Sequence, residues 1–150
     1  MIKIRVDPLH PLNLCSITHR IKEGEMLHEE ITGAIIKAFY AVYNTLGYGF
    51  LEKVYENALV HELTKLGLKV RQQVPIKVYY AGHLVGEYFA DLVVEGCVIV
   101  EIKAAASLHP AHAAQLLNYL KATDIEVGLL LNFGPKPEFA RKIFTSDRKK

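Results

Sequence analysis

The chain has 150 residues, of which 51% are hydrophobic and 23% charged, so it suits one domain with one core and excludes general disorder. The formal net charge of +2 gives no strong general attraction to nucleic acid, and any such activity must depend on a local site. Two cysteines are too few for a disulfide framework, and no apolar run approaches the ~20 residues that span a bilayer, which predicts a cytoplasmic protein without a membrane partner.

Residues 1–25 differ from the rest of the chain, because prolines and an asparagine interrupt every short apolar run. The pattern predicts a loosely attached N-terminal arm, followed by a single domain over residues 26–150. A second interpretation stays open, in which the arm is not translated in the cell. Lys22-Glu23-Gly24-Glu25 suits purine-rich codons, as an in-frame ribosome-binding site would, and Met26 follows directly. An intact mass beginning at Met1 in the native host would exclude that interpretation.

Two helices are predicted after the arm. Apolar residues recur at helical spacing from Leu27 to Leu46, and Gly47 and Gly49 end that helix. A second apolar stripe ends at Gly67, and one of its members is polar. This second stripe consists of Leu51, Tyr55, Ala58, Leu59, Glu62 and Leu66.

The period then changes from helical spacing to an alternation of two, which is typical of strands. Pro110 suits the first turn of a later helix. The predicted order is α-α-β-β-β-α-β-α, a single mixed α/β domain. The elements after the second helix are strands over Val70–Tyr80, Leu84–Val94 and Val98–Ala104, a helix from Pro110 to about Ala122, a buried strand over Val127–Asn132, and a short helix over Glu138–Phe144.

Three charged residues, Asp91, Glu101 and Lys103, stand out in the apolar hairpin of the second and third strands. Glu101 and Lys103 are two residues apart and therefore share a face of their strand. The face of Asp91 depends on the hairpin register, because a slip of one residue turns a strand over. A simple two-residue turn would pair Ala90 with Glu101 and put Asp91 on the opposite face, which mixes charge into both faces.

The alternative register pairs Val94 with Val98 and segregates the charges, so it is the register that we predict. Asp91 then lies directly across from Glu101, with the lysine one pair further on. This register needs an extra residue at the turn, which Gly96 provides in the left-handed conformation of a bulge. The other face is then apolar apart from one phenol, with Tyr88, Ala90, Leu92 and Val94 against Val98, Val100, Ile102 and Ala104.

Two carboxylates that face each other across a strand pair repel unless something compensates them. Lys103 can compensate one of them, which would make the group an ordinary polar sheet edge with a Glu101–Lys103 salt bridge. A divalent cation can compensate both, and oxygen ligands of this kind suit Mg²⁺ or Mn²⁺. Both interpretations follow from the residues alone.

The pattern Asp-(x)9-Glu-x-Lys on consecutive antiparallel strands resembles the PD-(D/E)XK nuclease superfamily, whose core order α-β-β-β-α-β matches Leu51–Asn132. Ala90 stands where the proline of the superfamily's name would be. Four further motifs extend the resemblance over about Leu27–Phe144 and are similar to the GxxExxY protein family. They are Gly49-Phe50-Leu51-Glu52-Lys53-Val54-Tyr55, Gly86-Glu87-Tyr88, the Gln-x-x-x-Tyr of Gln115 to Tyr119, and Leu131-Asn132-Phe133-Gly134.

The resemblance implies a restriction-endonuclease-like α/β fold, a mixed sheet flanked by helices, and metal-dependent hydrolysis of DNA, or alternatively of RNA. It implies Asp91 and Glu101 as ligands of Mg²⁺ or Mn²⁺, completed by the carbonyl of Ile102 and by Glu52 on the preceding helix. Lys103 would orient the attacking water, lower its pKa and offset charge at phosphorus.

The predicted helix after the third strand carries further candidates at spacings that share one face: His112, Gln115 and Tyr119. Gln115 is implied as part of the catalytic group, and His112 and Tyr119 as substrate contacts. Tyr55, which closes the Gly-x-x-Glu-x-x-Tyr signature, is a weaker candidate for a substrate contact. Two other functions stay open: a catalytically silent nucleic-acid-binding or protein-interaction module on the same scaffold, and a purely structural α/β interaction protein.

Overall fold

A computed structural model describes residues 28–149, so the predictions about residues 1–25 and the start at Met26 lie outside the described residues. The predicted strand bounds agree with the structure to within one residue at each end, because turn residues mark them. The elements are helices α1 (Glu29–Leu46) and α2 (Glu52–Lys65), strands β1 (Val70–Tyr80), β2 (His83–Val94) and β3 (Val98–Lys103), helix α3 (Pro110–Lys121), strands β4 (Val127–Phe133) and β5 (Pro137–Ile143), and a 3₁₀ turn over Ser146–Lys149.

The five strands form one mixed sheet in the order β1-β2-β3-β4-β5. Strands β3 and β4 are parallel, because α3 carries the chain across the sheet between them, and the other neighbouring pairs are antiparallel. This architecture confirms the predicted α/β, restriction-endonuclease-like fold and the order α-α-β-β-β-α-β.

Each face of the sheet is covered by helix. Helices α1 and α2 pack on one face, where Phe39 and Leu59 meet residues such as Val100 and Leu129. Helix α3 packs on the other face, where Leu116 meets neighbours such as Ile99. Within residues 28–149 no helix combines the length and apolar composition needed to cross a membrane. The cytoplasmic compartment stays a prediction.

The buried face of α2 differs from the predicted stripe. Tyr55, Leu59 and Leu63 are fully buried, whereas Leu51 and Leu66 are 77% and 53% exposed. Both exposed leucines lie just outside the helix, so they do not follow its periodicity. The predicted stripe is therefore confirmed at Tyr55 and Leu59 and was wrong at its two ends, Leu51 and Leu66. The buried face of the helix also includes a carboxylate that the predicted stripe left out.

The last predicted element is also different, because Pro137–Ile143 is a strand and not a helix. It pairs antiparallel with β4 from Val127–Ile143 to Phe133–Pro137. Every residue of β4 is buried, so its second edge needs backbone partners, and β5 supplies them. Tertiary pairing thus overrides the helical preference of the sequence Glu-Phe-Ala-Arg-Lys.

Candidate active site

The hairpin between β2 and β3 has the predicted register. Its ladder contains the pairs Leu92–Val100, Val93–Ile99 and Val94–Val98. Gly96 has the predicted positive φ, at 65°, and Glu95 is also left-handed, with a φ of 53°. The turn therefore holds three residues between paired positions, which confirms the extra residue and sets Asp91 opposite Glu101.

The backbone pairing between β2 and β3 ends before Asp91, and from there backbone N–H groups donate to side-chain carboxylates instead. The backbone N–H of Asp91 donates to Oε1 of Glu101 at 3.1 Å, and the N–H of Ile102 donates to Oδ2 of Asp91 at 2.8 Å. On the other side of β2, Gln73 of β1 has a φ of 51° and donates to Oδ1 of Asp91 at 3.4 Å. Each carboxylate is thus fixed by a backbone amide of the neighbouring strand.

The irregular backbone at Asp91 also changes the face to which the preceding residues of β2 point. The predicted faces were therefore partly wrong. Leu92 and Val94 share an apolar face as predicted, and this face packs with α1 and α2. Ala90 packs instead with the residues under α3, and the Tyr88 ring lies 5.8 Å from that of Tyr119 on α3. Strict alternation fails because the backbone is irregular at Asp91 and its neighbour on β1.

Glu56 of α2 is the carboxylate that the helix brings to this group, and the sequence analysis missed it. Its side chain is 4% exposed and accepts hydrogen bonds from Gln73 Nε2 at 3.1 Å on both oxygens. Lys53 Nζ lies 3.1 Å from Oε1. Gln73 therefore links Glu56 to Asp91, and these polar partners explain how a carboxylate is tolerated in a buried helical face.

Among the described residues, no hydrogen bond or ion pair joins Asp91 or Glu101 to Glu52 or Tyr55, the named residues of the Gly-x-x-Glu-x-x-Tyr motif. Glu52 is exposed at the first position of α2, one helical turn before Glu56. Tyr55 is fully buried, stacks on Phe133 at 4.1 Å and donates its hydroxyl to the carbonyl of Gly47 at 2.8 Å. With no exposed surface, Tyr55 is not placed to touch substrate, and it holds the loop between α1 and α2 instead.

Lys103 lies beside the carboxylates and is held by helix α3. Its Nζ donates to Oε1 of Gln115 at 3.2 Å. The salt bridges of residues 28–149 are Lys53–Glu56 and Lys65–Glu62, so the simple Glu101–Lys103 salt bridge is not formed. The lysine is thus left with an amide partner, and its charge stands near two carboxylates without being paired to either.

The side chains of β2, β3 and α3 in this group influence one another's charge. Burial, followed by the charge of Asp91, raises the pKa of Glu101 to about 8. Burial also raises the pKa of Asp91, with Glu56 adding to it and the Ile102 N–H opposing it. Burial and the charges of Glu101 and Asp91 raise the pKa of Tyr119 to about 12. The metal-free site is therefore a concentration of negative charge that disfavours full ionisation.

His112 lies at the margin of this group. Its pKa is lowered by desolvation and by the charges of Lys103 and His109. Its Nδ1 accepts the backbone N–H of His109 at 3.2 Å, while His109 Nδ1 accepts the N–H of Ala111 at 3.0 Å. The two histidines cap the N-terminus of α3, a role that sequence analysis did not assign to either of them.

The loop that follows Lys103 is fixed by Asn132 of β4, which is fully buried. Its Oδ1 accepts the N–H of Ala105 at 2.9 Å, and its Nδ2 donates to the carbonyl of Ala105 at 3.0 Å. A Cβ on Gly134 would lie 2.4 Å from that same carbonyl oxygen. Asn132 and Gly134 of the Asn132-Phe133-Gly134 motif therefore fix the backbone of the loop that connects Lys103 to α3.

The donor set fits a hard divalent cation. Two carboxylates are held together by neighbouring amides despite their repulsion, and the backbone carbonyl of Ile102 lies between Glu101 and Lys103 in the chain. Oxygen donors of this type are those that Mg²⁺ and Mn²⁺ prefer. Among residues 28–149 there is no group of three or more His, Cys, Asp or Glu side chains already arranged to hold a metal ion, so the protein would supply only part of the coordination.

Comparison with protein families gives a match over most of the chain. The family model of the PD-(D/E)XK nuclease superfamily matches residues 29–142, which include all five strands except the last residue of β5. Searches of curated proteins and of solved structures found no match. The match covers most of the chain and contains the Asp91, Glu101 and Lys103 group. The chain therefore belongs to the PD-(D/E)XK nuclease superfamily.

Proposed function

We propose that this protein is a metal-dependent nuclease of the GxxExxY branch that hydrolyses phosphodiester bonds of nucleic acid, with DNA as the first expectation. The observation that carries the proposal is the pairing of Asp91 with Glu101, each bonded to a backbone amide of the other's strand. Two buried carboxylates held this close repel each other when both are ionised, and a bound cation would relieve that repulsion. The superfamily generally uses divalent metals.

In this proposal Asp91 and Glu101 hold Mg²⁺ or Mn²⁺, with the carbonyl of Ile102 as a further ligand. The bound cation supplies water activation and neutralises charge at the phosphate. Glu52, at the exposed start of α2, is proposed as an outer ligand, and Glu56 supports Asp91 through Gln73.

Lys103 is proposed to orient the attacking water and to offset charge that develops on the phosphate. Its position suits this role because its ammonium is bonded to a neutral amide and not to a carboxylate. Gln115 is then the residue that fixes the ammonium. Tyr119 keeps its proton near neutral pH and can donate a hydrogen bond to substrate. His112, on the same helix, is proposed as a substrate contact at the margin of the site.

The test is a cleavage panel with labelled single-stranded and duplex DNA and RNA, in Mg²⁺, Mn²⁺ or EDTA. The wild type is expected to cleave only with metal. Asp91→Asn and Lys103→Met should each lower the rate by roughly 10²–10³. Matched controls are Asp124→Asn and Lys37→Met, which change the same residue types at exposed positions outside the site.

Several results would contradict the proposal. Cleavage that persists in EDTA would exclude metal dependence, and equal rates for the Asp91→Asn protein and its control would exclude the carboxylate pair. Binding of nucleic acid without cleavage by the wild type under any condition would support the silent binding module instead.

A further inference from the structure

A cavity of about 610 Å³ lies between α3 and the outer part of the β1–β2 hairpin. It adjoins the proposed catalytic group, since Gln115 lines it and also accepts the hydrogen bond of Lys103. Tyr119, which feels the charges of Asp91 and Glu101, forms another part of the wall. The volume lies within the range of about 300–1,000 Å³ that small-molecule sites occupy.

Two aromatic rings define one side of the cavity. The rings of Tyr88 and Tyr119 are 5.8 Å apart and inclined by 44°. The Tyr88 ring lies along its own strand over Gly86, where an added Cβ would come within 3.3 Å of the ring. Gly86 thus leaves room for the ring to lie in this position, which gives the Gly86-Glu87-Tyr88 motif a structural reason. Tyr88 remains 49% exposed, so its ring is available to a ligand.

The rest of the wall is small, mostly apolar and uncharged. Ala111, Ala114 and Ala122 of α3 leave space beside the helix, and Val78 of β1 faces them. The polar groups are the amides of Gln115 and Asn118 and the two phenols. None of the eight lining residues carries a formal charge at neutral pH, so the cavity does not suit a phosphate or another ion. Aromatic faces with a few amides suit a planar, neutral, hydrogen-bonding group.

We propose that this cavity binds one nucleobase of the substrate, unstacked from its neighbours, while the phosphate next to it lies at Asp91 and Glu101. The inference rests on the proposed nuclease function and narrows its substrate class. Tyr88 provides the stacking surface, and Asn118 and Gln115 bond to the edge of the base. A base within an intact duplex is stacked and paired, so single-stranded or frayed nucleic acid is the substrate that fits.

The test separates base binding from cleavage. The affinity of the non-cleaving Asp91→Asn protein in Mg²⁺ is measured by fluorescence anisotropy for a short single-stranded oligonucleotide and for the same oligonucleotide with central abasic positions, as DNA and as RNA. Removal of the bases should weaken binding by about 5- to 150-fold, the effect of one base–aromatic stack.

Variants then locate the effect. Tyr88→Leu removes the stacking ring, and Ala114→Leu fills the cavity from an exposed helical position, so both should weaken binding of the intact oligonucleotide and abolish the abasic difference. Tyr88→Phe keeps a ring, and Ala41→Leu places the same side chain at an exposed position on α1. Tyr88→Phe and Ala41→Leu should both keep the difference in affinity between the intact and the abasic oligonucleotide. Melting temperatures of the four variants check that each one folds.

Three results would overturn the inference: no abasic difference in the parent protein, a difference that survives in Tyr88→Leu and Ala114→Leu, or wild-type cleavage of a blunt duplex at the single-strand rate. Failure of the proposed function gives a different result, the absence of cleavage by the wild type on every substrate. The abasic comparison can still be read in that case, because it requires no cleavage.

Discussion

The buried carboxyl group of Glu101 should make the stability of the metal-free domain depend on pH. Its pKa rises from an ordinary 4.5 to about 8, first because of burial and second because of the charge of Asp91. Between these two values the folded state holds a proton that the unfolded state has released. The free energy of unfolding must therefore fall as pH rises through this window, since the unfolded state binds fewer protons.

The size of the effect follows from the shift. One pKa unit corresponds to about 1.4 kcal/mol. A proton that only the folded state binds therefore lowers the free energy of unfolding by at most this amount for each unit that the pH rises. Between pH 5.5 and 7.5 the free energy of unfolding should fall by about 2–3 kcal/mol. For a domain of this size that is roughly 10 °C in Tm. Glu101→Gln removes the titrating group but keeps an oxygen for the Asp91 N–H, so its Tm should vary much less.

The assay is a series of thermal melts from pH 5 to 9 in EDTA. Glu87→Gln, at an exposed position on the same β2 strand as Asp91, is the matched control and should keep the wild-type slope. Every other titratable group is common to both proteins, so the difference between wild type and Glu101→Gln isolates the carboxyl of Glu101. Equal slopes for these two proteins would refute the reasoning, because the proton would then belong to another group.

Two further predictions concern the same region. Asp91→Asn should melt above the wild type at pH 8 in EDTA, because the variant loses one of two facing carboxylates but keeps an oxygen for the Ile102 N–H. Addition of Mg²⁺ should leave the Tm of this variant unchanged. In the wild type, a hundredfold excess of metal over Kd should raise the free energy of unfolding by about 2.7 kcal/mol. A Tm of the variant below that of the wild type in EDTA would instead indicate a structural polar network without a metal. Gly134→Ala should lower the Tm and the cleavage rate together, because its Cβ would lie 2.4 Å from the carbonyl oxygen of Ala105. Gly33→Ala, where nothing lies within 4 Å, should raise stability by about 0.4–1 kcal/mol, and calorimetry that finds equal effects for the two glycines would contradict this.

The sequence predicted the hairpin register because one physical rule decided it. Of the two possible pairings, only Val94 with Val98 kept charge off one face, and a left-handed Gly96 made the extra turn residue possible. The position of Asp91 opposite Glu101 followed from that choice. A site whose residues lie on adjacent positions of paired strands is therefore accessible to sequence reasoning.

Glu56 was missed because periodicity treats a carboxylate as a surface residue. It lies next to Tyr55 on the buried face of α2, but its partners Gln72 and Gln73 come from a strand more than 15 residues later in the chain. Only the fold brings these amides to the carboxylate. Buried polar residues with distant partners leave no local pattern, whereas the Gly-x-x-Glu-x-x-Tyr motif drew attention to the exposed Glu52.

The same irregularity accounts for both the proposed catalytic group and the proposed base site. Where β2 leaves the β3 ladder at Asp91, the two carboxylates meet through side-chain and backbone hydrogen bonds. Beyond that point the outer hairpin presents Tyr88 to α3, which a regular strand would have turned to the opposite face. A phosphate at Asp91 and a base at Tyr88 would then be held by residues three apart on a single strand, roughly 10 Å along it. That span is short enough for one nucleotide to contact both, so the irregularity of β2 at Asp91 places the proposed catalytic group and the proposed base site within reach of the same nucleotide.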